Sequence, residues 1–304
     1  ADFVVECFPG QFRNWFYSLL AMSTILEGKT PFKTLLGHGL VKDQSGRDMH
    51  KSWGNAIWFE DAAEKMGVDV MRWLYANQNP EHNLLFGYSI ADEIRKNLIT
   101  LWNTYYFFIT YAKLDNFDPE SVTIKDSDYT ILDKWINSKM NEFIGEAERY
   151  YKNFEVFKLM KKATVILDNL SNWYIRRNRR RFWKSENDND KYAAYLTLYN
   201  SIMVYIKIMA PIVPFITEKI YSNMRIESQD PESIHLSLFP RYDKSKTDYN
   251  VIKEIDDVIN IVNLSRSVRN KANIKIRQPL SKIYIYADKN IEDFLIRNKN
   301  QIKE

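Results

Sequence analysis

Gly37-His38-Gly39-Leu40-Val41-Lys42-Asp43-Gln44-Ser45-Gly46-Arg47-Asp48-Met49-His50-Lys51-Ser52-Trp53-Gly54-Asn55 is the stretch on which the reading of this chain turns. Four of the nine glycines of the protein lie in it, together with Lys42, Arg47 and Lys51, so a pliable backbone is paired with positive charge. Glycines let the main chain approach a polyphosphate closely, and a lysine on a mobile loop can follow charge onto a leaving group. Composition alone also fits a solvated hairpin that carries a few lysines.

Upstream of this stretch, residues 1–6 read as a buried strand, and Pro9-Gly10 turns the chain into an amphipathic helix from about Gln11 to Glu27, closed by Gly28. Strand, turn, helix is an α/β unit, in which ligands sit outside the carboxyl ends of the strands. Glu6, Gln11 and Trp15 fall at that end, although Trp15 also fits a core position. Downstream, short helices are expected over 61–66, ended by Gly67, and over 69–77, followed by a brief strand at 84–87. Ser89-Ile90-Ala91-Asp92 has the capping-box form and starts a long helix to about Lys113.

The polar run 116–128, with Pro119, reads as a linker. Beyond it the apolar period is helical: Leu132, Trp135, Ile136, Met140 and Phe143 recur at three- and four-residue steps, as do Phe154, Phe157, Leu159, Met160, Val165 and Leu167. That pattern with short connections predicts an up-down helix bundle, whose helix from 193 to 209 Pro211 and Pro214 should break. An alternating strand is expected at Ile283-Tyr284-Ile285-Tyr286.

A chain of 304 residues with 45% hydrophobic and 27% charged content can bury two or three packed units. No apolar run approaches the roughly 18 residues of a membrane span, and the first residues lack the pattern of a signal peptide. The one cysteine, Cys7, forms no internal disulfide and no cysteine-built zinc site, which fits a reducing, cytoplasmic setting. Ala1 opens directly into an apolar run and Glu304 stops inside a helical pattern, so the chain reads as a piece of a longer protein. A net charge of +4 is modest, so an anionic partner must be met by local clusters.

Two such clusters stand in the bundle. Trp173-Tyr174-Ile175-Arg176-Arg177-Asn178-Arg179-Arg180-Arg181-Phe182-Trp183 places five arginines within six positions. Helix-end electrostatics and pairing with carboxylates such as Asp168 account for part of it. Six successive positions cover more than one face, so some arginines must point outward, beside aromatics that suit an RNA backbone with exposed bases. The second cluster, Arg266, Arg269, Lys271, Lys275 and Arg277, has no acidic residue within it and precedes Gln278-Pro279-Leu280; a solvated helix end explains it as well.

Met49-His50-Lys51-Ser52 followed by Trp53-Gly54-Asn55 resembles the signature loop of class I aminoacyl-tRNA synthetases, Lys-Met-Ser-Lys-Ser with an apolar-Gly-Asn tail; His38-Gly39 upstream and Gly67-Val68-Asp69-Val70-Met71-Arg72-Trp73 downstream also fit. Asp48 stands where the family has its first lysine and His50 where it has serine. Phe8-Pro9-Gly10-Gln11-Phe12-Arg13-Asn14-Trp15-Phe16 resembles the Asp-Gln-x-Arg-Gly-Trp-Phe segment of isoleucyl-tRNA synthetases, with Gly10 for Asp and Asn14 for Gly; Glu6 is a looser match. The arginine string and the segment around Arg277-Gln278-Pro279-Leu280 resemble the same family.

The resemblance implies a mainly α protein: the C-terminal piece of a Rossmann-like α/β catalytic domain (1–60), a small α/β junction module (61–125), an up-down α-helical anticodon-binding bundle (126–280) and the start of a C-terminal extension (281–304). It implies ATP-dependent ligation of L-isoleucine to tRNA(Ile) through isoleucyl-adenylate, with Mg²⁺ accompanying ATP and no zinc. Lys51 and Ser52 would be catalytic; His38, Gly39, Met49, His50 and Lys51 would meet ATP; Glu6, Gln11 and Trp15 would meet the adenylate. Trp173, Arg176, Arg177, Arg179, Arg180, Arg181, Arg269, Lys271 and Arg277 would meet tRNA. A cytoplasmic monomer, without membrane contact, is expected. The family's His-Ile-Gly-His signature is absent, the histidines being His38, His50, His82 and His235, and so is an editing domain, so this piece is expected to be inactive alone. Alternatives are a valyl- or leucyl-tRNA synthetase piece, or a non-catalytic tRNA-binding module.

Overall fold

The computed structural model describes residues 1–184, 186, 188–286, 292–299 and 302. Its first unit is β1 (Phe3–Cys7), α1 (Phe8–Gln11), α2 (Trp15–Glu27) and β2 (Thr34–His38). The two strands pair in parallel, with Glu6 opposite Gly37 and Cys7 opposite His38. The helix expected from Gln11 is divided: Pro9 sits in the first turn of α1, and Asn14, at φ −122° and ψ −102°, interrupts the helical path before α2. Gly28 ends α2 at φ 64°, a left-handed position that glycine adopts without strain.

A second parallel pair joins β3 (Val41–Asp43) to β4 (Leu84–Phe86), and between them lie α3 (Phe59–Met66) and α4 (Val68–Ala76). The long helix α5 (Tyr88–Leu114) follows, but its expected capping box is not formed. The helix cap lies two residues earlier, at Gly87, and the Ser89 amide and hydroxyl both donate to Gln44 Oε1, at 3.2 and 2.7 Å. A tertiary acceptor therefore displaces the local one.

The bundle comprises α6 (Ile131–Lys152), α7 (Val156–Asp168), a π-helical stretch (Asn169–Ile175) running straight into α8 (Arg176–Trp183), α9 (Asn189–Met209), α10 (Pro214–Met224) and α11 (Tyr249–Lys271). A short α12 (Glu292–Arg297) follows. Thr130 and Asp133 cap α6 reciprocally, and Pro211 and Pro214 separate α9 from α10 as expected. Leu132, Trp135, Ile136, Met140 and Phe143 are all buried, as are Leu159, Met160 and Leu167. Two members of the apolar pattern depart from it. Val165 faces outward, and Phe154, at φ 58° in the α6–α7 turn, stacks on Phe3 of β1 at 4.3 Å. The strand expected at 283–286 is not formed: those residues are irregular and Tyr284 and Tyr286 are exposed. The segment expected over 281–304 lies partly outside the described residues. Among the described residues no helix is long and apolar enough to cross a membrane.

α4 joins the two parts. Asp69 accepts the Phe215 and Ile216 amides at the start of α10, at 3.4 and 2.7 Å, while Arg72 donates to the Ile212 and Pro211 carbonyls, at 2.7 and 2.8 Å. The carboxylate takes orphan N–H groups at a helix start and the guanidinium takes carbonyls at a helix end, so both sides of the α9–α10 corner are satisfied by one turn of α4.

Candidate functional site

The glycine- and lysine-rich stretch is a hairpin organised by Asp43. Its Oδ1 accepts the Ser45 and Arg47 amides, each at 2.9 Å, and its Oδ2 accepts Asn55 Nδ2 at 2.9 Å. Asn55 also donates to the Asp48 carbonyl at 2.8 Å and accepts the His50 amide at 3.0 Å. One carboxylate and one carboxamide thus tie both ends of the loop together. The Asn55 bond, then the Arg47 amide, hold the Asp43 carboxyl well below its ordinary range, at about 2. Asp48, in the position of the family's first lysine, pairs instead with Lys42 at 3.2 Å.

Lys51, Ser52 and Trp53 form a single 3₁₀ turn closed by Gly54 at φ 70°. Lys51, Ser52 and His50 are exposed, and the His50 ring meets Trp53 edge-on at 4.3 Å. The Lys51 ammonium lies 4.4 Å over the Trp58 ring. Met49, half-buried between exposed neighbours, packs against the core. Gly39 packs closely against the chain at Pro80 and His82. Its amide donates to the Pro80 carbonyl at 2.9 Å and a Cβ there would lie 2.3 Å from the His82 carbonyl oxygen, so the glycine serves close chain packing and its N–H is not offered to phosphate.

Glu6, Cys7 and His38 do gather at the carboxyl end of the β1–β2 pair, with Gln11 one helical turn beyond. There Glu6 Oε1 accepts the Cys7 amide at 2.8 Å, Gln11 Oε1 accepts the Trp15 amide at 3.3 Å, and His38 Nδ1 lies 2.7 Å from the Gly39 carbonyl. Trp15 is exposed, against the core alternative. Among the described residues no cluster of three or more His, Cys, Asp or Glu side chains has a metal-holding arrangement.

The arginine string divides by burial. Arg176, Arg179 and Arg180 are exposed. Arg181 is not an outward residue: Nη1 donates to the fully buried Asp133 at 2.9 Å, and Nη2 to the Asp190 carbonyl at 2.7 Å. Tyr174, also fully buried, donates to the same Asp133 at 2.5 Å. Burial, and then the Asp133 charge, push the Tyr174 phenol far above its usual range. Trp173 is likewise no free stacking surface. It is 6% exposed, and the Arg177 and Arg266 guanidinium groups lie 4.8 and 6.0 Å over its ring. The indole therefore brings the two basic clusters side by side, an adjacency that nearly a hundred intervening residues hid from sequence reading. Arg269 is partly committed, donating to the Lys275 and Gln278 carbonyls at 3.2 and 2.7 Å, while Lys271, Lys275 and Arg277 are exposed.

Sequence reading assigned no role to Asp43, Asn55 or Trp58. Asp43 was detectable from the Asp-Gln-Ser-Gly turn signature and Asn55 from its place in the Gly-Asn tail of the loop, whereas Trp58 acts across the loop and carried no such local signal.

Residues 133–285 match the anticodon-binding domain of tRNA ligases, and residues 1–85 match the class I tRNA synthetases for I, L, M and V. The chain is 40% identical over 289 residues to an isoleucine–tRNA ligase of Clostridium kluyveri, covering 94% of this chain and 28% of that protein. It is 39% identical to one of Pyrococcus horikoshii, covering 94% of this chain and 27% of that protein. In fold it matches a LeuRS of Agrobacterium radiobacter K84, solved in a ternary complex with tRNA and LeuAMS, with TM-score 0.63 and 16% identity over 82% of this chain and 29% of that one. The chain thus spans a little over a quarter of the length of these isoleucine–tRNA ligases. By its matched domains and these relatives, the chain belongs to the class I tRNA ligases that carry an anticodon-binding domain, within the isoleucine–tRNA ligase family.

Proposed function

We propose that the protein carrying this chain ligates L-isoleucine to tRNA(Ile) with ATP, through isoleucyl-adenylate, as a cytoplasmic monomer. The chain supplies the signature loop (within 1–60), a junction (61–125), an anticodon-binding bundle (126–280) and the beginning of an extension (281–304). The observation that carries the reading is the exposed Lys51 on a hairpin whose two ends are fastened by Asp43 and Asn55.

A lysine on a fastened turn can follow the β- and γ-phosphates as the isoleucine carboxylate attacks the α-phosphate and pyrophosphate leaves. Ser52 and His50 lie beside it, able to donate to phosphate oxygens. Mg²⁺ would neutralise phosphate charge and would arrive on the nucleotide, since Asp48, the nearest carboxylate to Lys51 along the loop, is engaged by Lys42. Glu6, Gln11, Trp15 and His38 surround the carboxyl end of β1–β2, where the adenylate would lie. The exposed Arg176, Arg179, Arg180, Lys271 and Arg277 would meet the tRNA backbone, with Arg177 and Arg266 held beneath them on Trp173. Isoleucine-dependent ATP–pyrophosphate exchange by the intact protein tests this: exchange with isoleucine, and far weaker exchange with valine or leucine, is expected. Stronger exchange with either of those would move the chain to a sister specificity, and none with any amino acid would leave a tRNA-binding module.

A further inference from the structure

Trp58 occupies the N-cap of α3, a position that favours Ser, Thr, Asp or Asn because their side chains accept orphan amides. The indole makes no such bond, is 53% exposed and is therefore explained by neither capping nor core packing. What it does contact is the Lys51 ammonium, 4.4 Å over its ring. Lys51 and Trp58 are seven residues apart, brought face to face by the 3₁₀ turn at 51–53 and by Gly54 in its left-handed conformation.

Building on the reading of Lys51 as the phosphate-following lysine, we propose that Trp58 is a positioning residue that stores the Lys51 ammonium on its ring, so that a polyphosphate must compete with the stack for the lysine. A cation–π contact at an exposed site corresponds to about a two- to five-fold bias. That is enough to hold the side chain in one place between turnovers and small enough for a triphosphate to overcome. A ligand that meets a competing resting state binds more weakly by that fraction, so removing the ring should tighten nucleotide binding.

Two substitutions separate this from a structural role. Trp58→Ser removes the ring and supplies a better helix cap; Trp58→Phe keeps a ring without a cap. With the lysines carrying ¹³C-dimethyl groups, the Lys51 resonance, assigned through Lys51→Arg, should show an upfield ring-current shift in the unliganded chain. The shift should vanish in Trp58→Ser and persist in Trp58→Phe. In the intact protein, Trp58→Ser should lower KM for MgATP in pyrophosphate exchange about two- to five-fold with kcat little changed, and Trp58→Phe should behave as wild type. No upfield shift, or a KM that is unchanged or raised in Trp58→Ser, overturns the proposal. Full exchange activity in Lys51→Ala would instead overturn the reading of the loop; the ring-current shift, measured without nucleotide, does not depend on that reading.

Discussion

The bundle and the N-terminal segment are built to opposite standards. Between α6 and α11 a continuous apolar core is buried, helix starts at Thr130, Asp188 and Asp248 are capped by side chains, and the buried Asp133 is met by Thr130, Tyr174 and Arg181. Among the described residues of 1–60, by contrast, only Phe16, Gly39 and Asp43 are buried. Met22, Ile25 and Leu26 of α2 are exposed, at 60%, 81% and 76%. A helix that is apolar all round belongs in the interior of a larger core. The bundle thus covers its apolar core within the chain, whereas the N-terminal segment, proposed to carry the chemistry, leaves apolar side chains of α2 exposed.

The comparison breaks most visibly at Arg181. Arg181→Ala leaves Asp133 buried without its cationic partner and should cost about 3–5 kcal/mol in chemical unfolding, whereas Arg180→Ala, on the exposed side of the same helix, should stay within about 0.5 kcal/mol. Equal losses would mean that the two arginines share one environment. Lys51→Ala should do the reverse. It should leave the chain's unfolding midpoint where it is, yet lower exchange kcat in the intact protein ten-fold or more, through loss of a charge-assisted contact worth roughly 1.5–3 kcal/mol.

A smaller effect concerns pH. The Asp43 carboxyl is held at about 2 against an ordinary 3.8, so the stability it lends the loop is fully present above 3.8 and drains away as pH falls towards 2. Amide resonances of Ser45, Arg47 and Asn55 should therefore keep their native positions at pH 4.5 and move together below about 3.5; movement centred near pH 5 would assign the loop to another group. Least of all should come from α2: Ile25→Ser should change the stability of the chain by less than about 0.5 kcal/mol, while Ile136→Ala in the bundle should cost about 2–5 kcal/mol.

Sequence reading reached the bundle through periodicity, because Leu132, Trp135, Ile136, Met140 and Phe143 record one buried face of one helix. It also reached the strand at β1, though not its exposure, and the breaks at Pro211 and Pro214, which are local events, while the parallel partner β2 went unread. It failed where a distant partner decides. Ser89 leaves its capping box for Gln44, Phe154 leaves its helical period for Phe3, and the alternating Ile283–Tyr286 has no strand to pair with among the described residues. At the site the loop was legible as a pattern, while the commitment of Arg181 to Asp133, of the Gly39 amide to Pro80 and of Trp173 to two guanidinium groups depends on contacts that residue order does not record.

The central claim is that the bundle's exposed basic clusters recognise tRNA, and the affinity of this chain for a tRNA(Ile) transcript, beside one with an altered anticodon, at two salt concentrations, tests it most directly. The account predicts binding to tRNA(Ile) that weakens steeply with salt and again with the anticodon change, and whose salt dependence flattens in Arg179→Ala and Arg180→Ala. Equal, feeble binding to both transcripts, untouched by those substitutions, would contradict it.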